Sequence, residues 1–140
     1  MNTLTTVEPR YAMGKTVALP YDRAVERTRE ALQAEGFGVL TEIDVKATLK
    51  KKLDVDFKRY VILGACNPSL AWKGFQAEAD IGLLLPCNVV VYEEAADRSR
   101  VAILDPVAQL GISGRTDLGP VAQEAKRRLV RALEALPAAG

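Results

Sequence analysis

The chain has 140 residues, 49% of them hydrophobic, which suits one domain with a sizeable core and leaves too little for two. Its 19 basic and 18 acidic residues give a net charge of +1, so no overall field draws in nucleic acid or an anionic membrane. Histidine is absent, which excludes Ser-His-Asp and Cys-His catalysis and imidazole-bound zinc within this chain; any acid or base must be Asp, Glu, Lys, Tyr or Cys.

Residues 1–9 read as an N-terminal tail with neither a secretory pattern nor an apolar anchor, and every longer apolar stretch is interrupted by Gly, Pro or charge, so a cytoplasmic protein with two reduced thiols is expected. A single domain then spans residues 10–136. Large and small residues alternate from Tyr11 to Leu19, the mark of a strand. Pro20 ends it, and Asp22 opens a helix with Ala24, Val25, Thr28, Ala31 and Leu32 on its inner stripe. Gly36 stands where a left-handed cap belongs. From Phe37 to Ile43 the alternation returns, predicting a second strand. Asp44 caps a short helix to about Lys52, with Val45 and Leu49 inward and Lys46, Lys50, Lys51 and Lys52 making a solvated basic face.

Tyr60 to Cys66 is apolar almost throughout, the pattern of a strand covered on both sides. Asn67 and Pro68 read as N-cap and first residue of the next helix, whose apolar positions, Ala71, Trp72, Phe75 and Ala79 on one side and Leu70 with Ala77 on another, run around more than half of its circumference. Ile81 to Pro86 reads as an irregular loop. Cys87 to Glu93 is a strand, and Arg100 to Asp105 its hairpin partner. A Gly-rich loop follows Asp105-Pro106, with Gly114, Arg115 and Thr116 as turn and cap. The last helix starts near Asp117, buries Leu118, Val121, Ala122, Ala125, Leu129, Ala132, Leu133 and Leu136, and ends before a short tail at 137–140. The order predicts an α+β two-layer sandwich, a mainly antiparallel sheet with helices on one face. Several strands are apolar on both sides, so the uncovered face calls for a second copy or a ligand.

Gly36-Phe37-Gly38-Val39-Leu40-Thr41-Glu42-Ile43-Asp44, Gly64-Ala65-Cys66-Asn67-Pro68, Leu85-Pro86-Cys87-Asn88 and Asp105-Pro106 together resemble the domain-of-unknown-function family numbered 302, found in bacteria and archaea. The likeness runs from about Arg10 into the last helix. It implies a curved antiparallel sheet backed by helices, similar to the TATA-binding-protein-like class, and no settled activity.

The paired Cys-Asn segments are the candidate site. A helix N-terminus beside Cys66 would favour its thiolate and lower its pKa, making it the candidate nucleophile, with Cys87 as resolving thiol if neighbouring strands bring the two together. As a binding site, Cys66, Asn67, Pro68, Ser69, Cys87 and Asn88 would form a small concavity suited to a carboxylate or phosphate at the free amides of the helix start, or to another small molecule. Structural packing accounts for buried cysteines as readily. Two functions follow: a homodimeric small-ligand-binding or sensory domain without catalysis of its own, or a thiol-dependent redox or transfer protein using Cys66 with Cys87. Neither requires a metal, a cofactor, nucleic acid or a membrane.

Overall fold

In the computed structural model, which describes residues 8–139, the strands are β1 (Ala12–Val17), β2 (Gly38–Asp44), β3 (Tyr60–Cys66), β4 (Cys87–Ala95) and β5 (Arg98–Leu104). The helices are α1 (Tyr21–Ala34), α2 (Val45–Leu53), α3 (Pro68–Ala77), α4 (Pro106–Gly111) and α5 (Gly119–Glu134). The five strands form one antiparallel sheet in the order β1-β5-β4-β3-β2, with helices on one face. The expected two-layer α+β architecture is therefore the one observed. Most of the tail assigned to residues 1–9 lies outside the described residues, as does Gly140. Pro137 to Ala139 turn back along the outer edge of β1, where Ala138 bridges Val17.

Period-two burial sorts each central strand. Val61, Leu63 and Ala65 of β3, Val89 and Val91 of β4, and Val101 and Ile103 of β5 are buried under α1 and α5. Leu32 of α1 and Leu129 of α5 close that core from above. The end of α1 follows from its sequence: Gly36 takes φ 84, its N–H donates to Gln33 O, and Phe37 N–H donates to Leu32 O. That is a Schellman motif, in which glycine avoids the penalty a Cβ would bring at positive φ, and it buries Phe37 beside the core. At the far end, Lys15 Nζ donates to the Leu133 carbonyl at 3.1 Å, alongside the Leu136 N–H that the same oxygen accepts where α5 runs out.

Four expectations need correction. The alternation read through Phe37–Ile43 is broken by a bulge at Leu40: Val39 pairs with Ala65 and Thr41 with Gly64, so Thr41 and Ile43 turn to the face opposite the helices. Most of Ile81 to Pro86, read as an irregular loop, belongs to a 3-10 helix over Ala79–Leu84. The stretch after Asp105 is no simple loop, because Asp105 accepts from Val107 N–H at 2.8 Å and caps α4, which buries Pro106, Gln109 and Leu110. Finally, α3 buries Leu70 and Gly74, while Trp72 and Phe75 face outward, Trp72 being 62% exposed.

The face away from the helices is uncovered. In register across it run Ile43, Ile62, Val90, Ala102 and Gly14, flanked by stacked Tyr60 and Tyr92 with ring centroids 5.2 Å apart. Arg100 lies over Gly14 and pairs with Glu8 at 2.6 Å, so one margin of this apolar row is already polar. Among the described residues no helix is long and apolar enough to cross a membrane.

Candidate functional site

A cavity of about 60 Å³ lies at the end of the sheet where β3 and β4 meet α3, α4 and α5. Leu70 and Gly74 of α3, Ile81 of the 3-10 helix and Leu129 of α5 supply its apolar walls; Ala65 and Cys87 supply its floor. Its geometry starts with Asn67, whose side-chain oxygen accepts from Leu70 N–H at 3.1 Å. This cap fixes the direction in which α3 leaves β3 and so places Leu70 over the sheet. Gln109 closes the opposite side: its side-chain amide donates to the Pro86 carbonyl at 3.4 Å and to the Leu84 carbonyl, tying α4 to the segment that leads into β4.

The cavity gathers Cys66, Asn67 and Cys87 but leaves out Pro68, Ser69 and Asn88, which are exposed. Cys87 pairs across the ladder with Ala65, and both are buried on the helix face. Cys66 is the next residue along β3, so strand alternation turns its side chain to the other face, although the residue meets the cavity where the strand ends. The two thiols thus leave alternating positions of adjacent strands, and both residues line the cavity. Both are free.

The electrostatics also differ from expectation. Burial pushes the Cys66 thiol up from its ordinary value, because it withdraws the thiolate from water. The adjacent Asn67 already occupies the Leu70 N–H. Cys87 is pushed up to about 12, first by burial and then by the negative charge of Asp105. Its Sγ donates to the Leu104 carbonyl at 3.4 Å, so the protonated thiol has a partner and the thiolate would lose it. Asp105 is itself held by Lys126 at 2.9 Å. That partner was not evident in the sequence, because it depends on α4 and α5 crossing side by side.

Other candidate charges are engaged elsewhere. Arg115, considered for the turn before the last helix, pairs with Asp117 at 2.7 Å. On the basic face of α2, Lys50 pairs with Asp54 at 2.9 Å, and Lys46 donates to the Phe57 carbonyl at 2.8 Å. The cavity walls hold neither Lys nor Arg, so they offer an apolar molecule more than an anion. Among the described residues no cluster of three or more acidic, thiol or imidazole groups could hold a metal.

Sequence reasoning missed Gln109 and Ile81. For Gln109 a signal existed: Pro106, Gln109 and Leu110 sit at helical spacing, and the glycines after them masked it.

A family model described as "Domain of unknown function DUF302" matches residues 13–136. A solved structure of an uncharacterized conserved protein DUF302 from Bacillus stearothermophilus is 30% identical over 90% of this chain and 98% of its own, with a TM-score of 0.81. No curated protein matches.

Proposed function

The chain belongs to the DUF302 family, a domain of unknown function, and from that membership and the geometry above we propose that it is a small-ligand-binding module without catalysis of its own. The observation that carries this reading is the cavity beside Cys87: it is apolar and unfilled by its own side chains, at a junction that the capped end of β3 and the Gln109 clasp hold in shape. A close-packed core leaves few voids larger than a water molecule. At about 60 Å³ the space exceeds that and falls short of a drug-sized pocket, so its guest is a compact apolar molecule of a few heavy atoms or the apolar end of a longer one. Apolar walls keep such a space dry, and a guest regains the dispersion contacts that an empty cavity forgoes.

Gly74 provides the test. A Cβ built there would meet Ile81 Cγ2 at 3.6 Å, an ordinary contact, and Gly74 lies inside α3. Gly74→Ala therefore adds a methyl to the cavity wall while raising stability by about 0.5–1 kcal/mol through helix propensity. Xenon, an apolar probe, is expected to shift the methyl signals of Leu70, Ile81 and Leu110 saturably in the native protein and at least several-fold less in Gly74→Ala. If those methyls respond no more than exposed Leu40 and Leu83 do, the cavity is ordinary packing and the reading falls.

A further inference from the structure

The two edges of the sheet are treated unequally. The outer edge of β1 is occupied by the chain's own C-terminal segment: Ala18 N–H donates to the Pro137 carbonyl at 2.9 Å, and Ala139 N–H to the Thr16 carbonyl at 3.0 Å. The outer edge of β2 has no such cover. All its residues except Val39 are exposed, and among the described residues no backbone hydrogen bond from Gly38 to Ile43 runs to any segment but β3. Natural edges are usually blunted by lysine, proline, a covering helix or a bulge. Here the strand carries neither lysine nor proline, and its bulge at Leu40 still leaves Thr41 to Asp44 in regular register. Leu40, 69% exposed, stands at the bulge, and Ile43 is exposed beyond it.

A row of unpaired N–H and C=O groups is complemented by another strand, and the geometry points to a second copy of this chain pairing β2 with β2 antiparallel about a two-fold axis. Stoichiometry favours this occupant. Because the β1 edge is closed by the chain itself, one copy's free β2 edge can meet only the other's β2 edge, which closes the assembly at two and forbids a growing ribbon. Charge favours it as well. The end of α1 sits at the start of β2 and α2 at its finish, so antiparallel pairing brings the α2 end of each protomer to the α1 end of its partner. Lys51 and Lys52 of α2 make no ion pair among the described residues. The last turn of α1 carries no basic residue and ends in the helix's negative dipole, although Glu30 and Glu35 near it are already paired with Arg27 and Arg131. Glu42 of β2 is already held by Arg29.

This pairing does not rest on the ligand reading, since no β2 residue lines the cavity. The competing interface is the open sheet face, where Ile62 and Val90 sit at the centre, well inside the β2 edge. Sedimentation equilibrium on the native chain, Leu40→Lys and Val90→Lys separates the two. Edge pairing predicts a native dimer whose dissociation constant rises at least about tenfold in Leu40→Lys and less than about threefold in Val90→Lys. Amide hydrogen exchange of the unmodified protein needs no variant: protection of amides between Thr41 and Asp44 should increase with protein concentration. A native chain that stays monomeric, a dimer lost in Val90→Lys but kept in Leu40→Lys, or β2 amides indifferent to concentration would each overturn the proposal.

Discussion

The dipeptide Cys-Asn occurs twice in this chain, and the two copies meet opposite fates. In Cys66-Asn67 the thiol is half-buried and the amide buried; in Cys87-Asn88 the thiol is buried and the amide exposed. The difference arises from position in the ladder. The first pair ends β3 and hands over to a helix, so its asparagine becomes a cap; the second begins β4, so alternation sends its cysteine to the core and its asparagine to the open face. Identical side chains thus take their chemistry from register. One thiol is buried and donates to a carbonyl; the other is half-buried where β3 ends.

The comparison breaks most visibly at alkaline pH. Cys87 ionises near its ordinary value in the unfolded chain and at about 12 when folded, so folding favours the protonated thiol. Its contribution is fully present below about 9 and is lost as pH rises from there towards 12, up to ~4 kcal/mol in all. Tyr21 and Tyr60, also raised by burial, steepen the upper part of the same limb. Urea unfolding of the native chain between pH 8 and pH 10.5 should show stability falling, with a shallower fall in Cys87→Ala despite the lower starting stability of that variant. Equal slopes in both would mean that Cys87 is not the group responsible.

Next in size is the asparagine contrast. Asn67→Ala removes the acceptor for Leu70 N–H at a buried helix start and is expected to cost about 1–2 kcal/mol, with Asn67→Ser recovering much of it. Asn88→Ala, at an exposed position opposite Gly64, is expected to stay within about 0.5 kcal/mol. Chemical denaturation of the three variants checks the order; similar losses at Asn67 and Asn88 would remove the distinction between cap and surface.

What the sequence made legible was whatever depends on neighbours along the chain. The cap at Asn67, the left-handed Gly36, the hairpin between Glu93 and Ser99 and the buried stripe of α5 each rest on a local rule of spacing or backbone freedom. Illegible were features set by what lies across from a residue. A bulge leaves no mark in an alternating run such as Val39-Leu40-Thr41, yet it turned half of β2 over. The Asp105–Lys126 pair needed the crossing of α4 and α5, and α4 itself was hidden behind Gly111 and Gly114. The same limit explains the candidate site. Sequence spacing could show that both Cys-Asn pairs lie at strand ends, but only the Ala65–Cys87 register decides which side of the sheet each thiol occupies.

The smallest expected effect concerns Cys66, and it bears directly on that register. Half-buried where β3 ends, Cys66 should tolerate Cys66→Ser with a change in stability of less than about 0.5 kcal/mol. Its chemistry is a sharper probe than its energy. With the thiol pushed up by burial, alkylation of native protein by iodoacetamide should be slow at neutral pH and still accelerate as pH passes 9, the reverse of an activated nucleophile, whose rate would level off below neutrality. Mass analysis should find a single modification at Cys66, since Cys87 is both covered and protonated. Mild oxidation should likewise give no bond between the two sulfurs, because a disulfide requires Cβ atoms about 4 Å apart and side chains leaving opposite faces of a sheet point away from each other. Rapid double labelling or an intramolecular disulfide would place both thiols on one face, and the account of the two Cys-Asn pairs would then have its register wrong.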